Sequence, residues 1–391
     1  MKKKFLDLGM QPIANKFLTS EDEIENEYKF HLTVYFDEDT KLVSLGQFVP
    51  PEMMFNDSYV YHSSLSNTMK NHFSNAAQNL DDLFSPVKVL EIGSNDGVFI
   101  KHFNPESTIA VEPCGNFASL TNEIGYKTYN EFWTKQVSNS IADNHGKQDL
   151  IYSANCMCHI QNLEEAFQAV SDSLSDVGVF VFEDPSLLKM IERGSYDQIY
   201  DEHAHIFSIT ALQNLLNRCG LEVFKVEDLL VHGGSSRVYA AKIGNRKICP
   251  SVFEHLGKEN KAGLNQLSAY ETFANRVEQS KQQLLNILHE LKRKGYKVVS
   301  YGATSKSTTV FNYCGITTDL VDYIVDITPN KQGKLSPGAH IPVISPDDGF
   351  DRSVDYAFLG AWNFETEILQ KEEEFTRTGK FISHVPYARF V

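Results

Sequence analysis

Cysteine is scarce in this chain: six thiols among 391 residues, none of them before Cys114 and no regular interval between them. A disulfide-stapled scaffold is thereby excluded, and a reducing compartment, the cytoplasm, is the expected location. Basic charge is also in short supply, with 36 Lys and Arg against 51 Asp and Glu, a net charge of −15, and no basic run longer than three residues. Neither nucleic acid nor an anionic membrane is an expected partner. No apolar stretch approaches the roughly 20 residues that a membrane span requires. Asp7, Gln11 and Asn15 interrupt the stretch after the N-terminal MKKK where a signal peptide would need its apolar core.

What is present is alternation. The length exceeds one typical core and predicts two or three domains. Strand-like HLTVYF and LVSLGQFV flank a turn at Asp37 to Thr40, and the aromatic, serine-rich SYVYHSSLSNTMKNH follows. These predict a small α+β unit over residues 1–78. From 79 to 245, strands VKVLEI, TIAVEP, DLIYSAN, GVFVFED, LEVFKV and RVYAAKI alternate with helical stretches such as LEEAFQAVSDSL, the pattern of an α/β domain with a mostly parallel sheet. A long amphipathic helix ending before Gly295 dominates residues 246–296 and reads as a linker. A second, smaller α/β set fills 297–391.

The segment VLEIGSNDGVF, Val89 to Phe99, carries the most information. A strand runs into Gly93 and Gly97, which permit a tight turn and close backbone approach to a ligand, and VFIKHF after them predicts a helix start. Glu112, at the end of the next strand and 21 residues after Glu91, stands where a carboxylate reaches ribose hydroxyls in nucleotide-binding βαβ units. A dinucleotide fingerprint counted from Gly93 would need glycine where Asn95 and Val98 stand, which counts against NAD. S-adenosylmethionine (SAM) has no phosphate and carries a sulfonium cation, so carboxylates at Glu91 and Glu112 suit it better. The expected pocket comprises Glu91, Gly93, Ser94, Asn95, Gly97, Glu112 and Pro113, with Asn155 at the end of a neighbouring strand.

YDEHAHIFS, Tyr200 to Ser208, concentrates a phenol, two carboxylates and two imidazoles in nine residues. His203 there suits a general base, with Glu202 able to orient it; the plainer reading is a solvated polar loop. NCMCHI, Asn155 to Ile160, follows a strand at the sheet edge where ligands bind, which turns His159 toward a substrate. Its spacing matches no usual zinc pattern, so no metal is expected.

HGGSSRVY, His232 to Tyr239, offers Ser235 and Arg237 either to a substrate or to a plain hairpin turn. YGATSKST begins at a strand end and runs into a helix, presenting Gly302, Ala303, backbone N–H groups and Lys306 to an anion. Asp326 ends the strand YIVD within reach of a ribose, and Lys331 follows in a turn. A nucleotide diphosphate is the natural ligand for that set.

Taken in order, LDLGMQPIANKF, SYVYHSS, VLEIGSNDGVF, YDEHAHIFS, HGGSSRVYAA, YGATSKS and the tail AWNF with FISHVPY make the chain resemble the NDP-sugar C-methyltransferases of deoxysugar pathways over nearly its whole length. That family methylates C3 of 4-keto-6-deoxy sugars with SAM. The resemblance implies a small N-terminal unit, a central Rossmann-like SAM domain and a C-terminal Rossmann-like domain holding the sugar's nucleotide. It implies His203 as base with Glu202, Tyr200 and His159 beside it, and Tyr59 or Tyr61 reaching in from the N-terminal unit. One departure is plain. The family holds zinc with four N-terminal cysteines and this chain has none there, so zinc is not expected and the unit should draw its stability from packing on the central domain. The rival activities are sugar O-methylation, a nucleotide-sugar oxidoreductase or epimerase, and a non-catalytic binding protein.

Overall fold

The structure, a computed structural model, describes residues 1–391. Strands β1 (Lys2–Pro12), β2 (Lys29–Asp37) and β3 (Val43–Leu45) pair antiparallel in the N-terminal unit. The central domain contains β4 (Val89–Ile92), β5 (Thr108–Val111), β6 (Lys127–Tyr129), β7 (Gln148–Ala154), β8 (Leu174–Pro185), β9 (His205–Ile206), β10 (Leu221–Leu229) and β11 (Ser235–Lys242). All but β9 form one sheet in the order β10-β11-β8-β7-β4-β5-β6. It is parallel from β6 to β8, and β11 runs antiparallel between β8 and β10. The final eight residues of β8 are all buried, as a strand covered by helices on both faces requires.

The C-terminal sheet has the order β14-β13-β12-β15-β16-β17. Its strands are β12 (Val298–Tyr301), β13 (Ile324–Val325), β14 (Val343–Ile344), β15 (Tyr356–Leu359), β16 (Lys380–Ser383) and β17 (Arg389–Phe390), parallel except for the last pairing. The expected α/β class with two Rossmann-like sheets and a smaller N-terminal unit is what is found. No helix is long and apolar enough to cross a membrane.

Four expectations about organisation are corrected. A boundary at residue 78 would cut the helix Asn67–Phe84, whose buried Met69, Phe73, Ala76, Ala77 and Leu80 pack in the central core, so the N-terminal unit ends before that helix. Strand β9 leaves the central domain and pairs with β3 at Val43↔Ile206 and Ser44↔His205, so the segment after the YDEH residues completes the N-terminal sheet. VFIKHF forms only one 3₁₀ turn, Ile100–His102, and no α-helix N-terminus follows the glycine loop.

The fourth concerns residues 246–296, which are not a spacer. The helix Leu267–Arg293 buries Tyr270, Phe273, Val277, Leu284, Leu288 and Leu291 at helical spacing. Tyr270 stacks on Phe36 with ring centroids 4.5 Å apart and meets Phe5 at 5.0 Å. One apolar cluster joins this face to the N-terminal sheet and to Val310, Phe311 and Phe358 of the C-terminal domain. The N-terminal unit thus gains its support from the long helix and the C-terminal domain together with central-domain residues of the same cluster, among them Leu187, Ile191, Tyr196 and Ile206. At about 1.5–3 kcal/mol for each large apolar side chain buried, that seam contributes substantially to holding the unit in place.

Candidate active site

A single cavity of about 870 Å³ is lined by residues of all three units. Its first wall is the glycine turn after β4. Gly93 has φ 76°, and a Cβ there would lie 2.7 Å from Cys156 Sγ, so the turn tolerates no side chain. Glu112, at the end of β5, accepts from the backbone N–H of Asn95 at 2.8 Å and of Cys114 at 2.9 Å. Burial raises its pKa while those N–H groups hold it down. Glu91 is 2% exposed and its Oε2 has no partner. Burial, with the charges of Glu112 and Asp96 nearby, lifts its carboxyl well above the ordinary range. The Ser94 hydroxyl is likewise buried without a partner.

Unsatisfied buried carboxyl and hydroxyl groups are costly unless a ligand completes them. A molecule carrying ribose hydroxyls, an ammonium and a sulfonium fits this wall. Glu91, Gly93, Ser94, Asn95, Glu112, Pro113 and Asn155 all face it. Gly97 does not. Its φ is 75° and a Cβ would sit 2.9 Å from the Thr121 methyl, so it serves helix packing rather than ligand contact, a correction to the sequence reading. The serine-rich segment closes over the turn. Asn95 accepts from Ser63 N–H and donates to the Tyr61 carbonyl, each at 3.0 Å, and Asp96 accepts from Ser64 N–H at 3.0 Å.

The second wall is the loop before β9. His203 is 5% exposed and its Nδ1 lies 2.6 Å from the Gln198 carbonyl. A carbonyl only accepts, so Nδ1 carries the proton and Nε2 keeps its lone pair. The ring stacks on His159 at 5.4 Å and tilts against Tyr200 at 4.1 Å, and His159 stacks in turn on Phe55 at 5.2 Å. Burial and the neighbouring His159 push the His203 imidazole well down; burial takes His159 to about 3. Both rings are neutral at pH 7.

Glu202, though adjacent in sequence, also faces the cavity and accepts from Asn15 Nδ2 at 2.6 Å and from the Tyr59 hydroxyl at 3.0 Å. Tyr59, Tyr61, Tyr200, Glu202, His159 and His203 are therefore brought together. Asn15, Phe55 and Gln198 were missed as site residues. Asn15 lies inside the LDLGMQPIANKF string, but nothing local marks it as a partner of a residue so distant in the chain.

The third wall belongs to the C-terminal domain. The helix Ser305–Cys314 points its N-terminus at the cavity, capped by Thr304 and Ser307. Lys306, in its first turn, also faces inward, with its pKa lowered by burial and supported by Asp197 and Glu202. Asp326 accepts from Ala303 N–H at 2.7 Å and Lys331 donates to the Ala303 carbonyl at 2.8 Å. Gly302, Lys306, Asp326 and Lys331 line the cavity, whereas Ala303 sits behind it as the anchor that these two side chains share.

Ser235 and Arg237 are corrected. Arg237 Nε donates to Glu183 at 2.7 Å and its Nη1 to Glu227 at 3.3 Å, and the Ser235 hydroxyl donates to the Val231 carbonyl at 3.4 Å. Both are buried in β11 away from the cavity, so the plain hairpin reading of these two residues holds.

Two places in the chain bear on metal binding. Donor atoms of Cys158, His159 and His203 lie within 4.8 Å of one another, but burial and Asp184 hold the Cys158 thiol protonated, and a thiol is a poor ligand until it ionises. Residues 1–55 contain no cysteine and one histidine, His31, which is exposed and pairs with Asp7 at 2.8 Å. That set does not fit a structural zinc ion.

Comparisons with known proteins agree along the chain. Residues 230–386 match the family model described as C-methyltransferase C-terminal domain, 67–226 match one described as methyltransferase domain, and 1–55 match one described as "Putative zinc binding domain". The C-methyltransferase NovU of Streptomyces niveus is 31% identical over 393 residues, covering 99% of this chain and 93% of that protein. Solved structures that resemble the chain include the N-methyltransferase NodS of Bradyrhizobium japonicum with S-adenosyl-L-homocysteine (12% identity, 46% of this chain and 90% of that one, TM-score 0.37). A SAM-dependent methyltransferase of Anabaena variabilis is a second (14% identity, 45% and 86%, TM-score 0.37).

Proposed function

The chain belongs to the family of SAM-dependent C-methyltransferases, and from that premise we propose that it methylates C3 of a nucleotide-linked 4-keto-6-deoxy sugar through an enolate formed by His203. The observation that carries the proposal is the bond between His203 Nδ1 and the Gln198 carbonyl. It fixes the tautomer that leaves Nε2 free to take a proton, and it stabilises the imidazolium once the proton has arrived.

A ketone at C4 acidifies the C3 hydrogen. His203 Nε2 removes that proton, and the electron pair of the C3–H bond moves toward the C4 oxygen. Tyr59 already donates to Glu202, so the hydroxyls of Tyr200 and Tyr61 and the imidazole of His159 are the donors available to the enolate oxygen. Preorganised donors of this kind are commonly the largest contribution to stabilising such a charge. When bound, SAM supplies an electrophilic methyl group, held beside Glu91, Gly93, Ser94 and Glu112. The enolate's electron pair would return through C3 to that methyl carbon, re-forming the C4 ketone and making the C–C bond as the sulfur–methyl bond breaks and its electron pair stays on the sulfur of S-adenosylhomocysteine; His203 would then return its proton to solvent. Lys306, Lys331 and the N-terminus of helix Ser305–Cys314 would bind the diphosphate, leaving Asp326 for the nucleoside.

The experiment is to incubate the protein with SAM and a panel of keto-sugar nucleotides and to locate the added methyl by NMR. A methyl on C3 is expected. A methyl ether, or turnover of sugars that carry no nucleotide, overturns the proposal.

A further inference from the structure

His232 occupies a backbone conformation that suits glycine. Its φ is 52° and ψ 23°, and the next two residues, Gly233 and Gly234, are also left-handed at φ 84° and 113°. Crowding explains the glycines. A Cβ on Gly233 would lie 2.6 Å from the Trp362 ring, and one on Gly234 would lie 2.9 Å from Lys189 Cβ. No such reason accounts for the histidine, because glycine would take the same conformation without strain. Non-glycine residues in sparsely populated backbone regions cluster at functional sites, which directs attention to the His232 side chain.

The imidazole has the features of a group waiting for a ligand. It lines the cavity, and its Nε2 is buried with no partner in the protein. Arg193 clamps the loop by donating to the Gly233 carbonyl at 2.5 Å, and Gly234 N–H returns to the Val231 carbonyl at 2.9 Å, so the ring is held in place. The charged and titratable groups around it are Lys306 from the C-terminal helix, His72 and Glu183, with His203 near enough to be influenced by it. Burial and the Lys306 charge keep the imidazole neutral, its pKa taken down to about 3. With its proton on Nε2, a neutral ring donates one hydrogen bond there and needs an acceptor. A phosphate has oxygens enough to serve both this ring and Lys306.

We infer that His232 is a substrate-binding residue, whose imidazole donates to the sugar-side phosphate of a nucleotide-linked substrate and shares that anion with Lys306. The inference rests on the nucleotide-sugar reading above and adds the central domain's hairpin to the diphosphate site.

Calorimetry with a nucleoside diphosphate and, separately, with SAM tests it. The His232→Gly variant relieves the backbone and should melt no lower than the wild type. It should bind SAM unchanged and lose about 10- to 100-fold in affinity for the nucleoside diphosphate, the range for one hydrogen bond to a charged group. His232→Gln, whose amide nitrogen reaches the position of Nε2, should recover part of that loss. Wild-type nucleotide affinity in His232→Gly overturns the inference, as does a variant that melts lower and loses both ligands together. A wild-type protein that binds no nucleoside diphosphate would sink the nucleotide-sugar reading itself, which is a separate outcome.

Discussion

The side-chain amide of Asn15 donates to Glu202 Oε1 at 2.6 Å, across 187 residues of sequence. Through this bond the N-terminal unit reaches the loop that carries His203, and Ala14 reinforces it by donating its N–H to Asp201 at 3.0 Å and accepting from Thr308 of the helix Ser305–Cys314 at 3.1 Å. Glu202 is buried and its carboxyl is already raised by desolvation. Asn15→Ala leaves one of its oxygens unsatisfied, at a cost of about 1–3 kcal/mol. We expect lower thermal stability and a reduced kcat with unchanged SAM affinity, measured by calorimetry and steady-state kinetics. An unaltered kcat would show that Glu202 needs no support from Asn15.

Glu112→Ala should weaken SAM binding while leaving nucleotide-sugar binding nearly unchanged, because Glu112 stands on the glycine-turn wall. The variant also frees the N–H groups of Asn95 and Cys114. Glu112→Gln, which still accepts with one oxygen, should lose less. Calorimetry with each ligand separates the outcomes. Equal loss of both ligands would mark misfolding, and loss of neither would remove Glu112 from the site.

His203→Asn keeps a donor for the Gln198 carbonyl but has no nitrogen where Nε2 stands. General-base contributions are roughly 10²–10⁴-fold, and turnover should fall by at least that much with both ligands still bound. With S-adenosylhomocysteine in place of SAM, the wild type should exchange the sugar's C3 hydrogen with deuterated solvent and the variant should not. Exchange that survives in His203→Asn would transfer the base to His159 or a tyrosine.

Asp184 is 3% exposed, and burial takes its carboxyl up to about 7 from 3.8. Below pH 3.8 it is protonated both folded and unfolded and contributes nothing to pH dependence. Between about pH 4 and 7 the unfolded chain ionises it and the folded chain does not, so the wild type loses about 1.4 kcal/mol of stability per pH unit through this group. Asp184→Asn removes that loss. Denaturant titrations at pH 5 and pH 7.5 should show the stability of the variant rising relative to the wild type as pH increases. A constant difference would mean that the folded pKa is ordinary.

Chelator-washed protein should hold no stoichiometric zinc and should melt as the untreated protein does, since His31 is the only imidazole and no thiol stands in residues 1–55. Elemental analysis and a thermal melt decide it. Unfolding on chelation would reveal a remodelled site.

The sequence determined those features whose physics is local. Gly93 announced a tight turn after β4, GVFVFED announced a strand of a mostly parallel sheet, and YGATSKST announced a strand end running into a helix with Lys306 in its first turn. Each depends on residues within a few positions of one another, so pattern and spacing suffice. Ser235 and Arg237 looked equally chemical in sequence. Which face of β11 they take is set by its pairing with β8 and β10, and a single-residue change of register would reverse it. Only tertiary structure decided that Asn15 meets Glu202, that β9 leaves its own domain to complete the N-terminal sheet, and that His232 faces the cavity beside Lys306. These relationships join segments tens to hundreds of residues apart, brought together by burial of the long helix and the sheets around it, and burial of that kind leaves no periodic mark on the residues it unites.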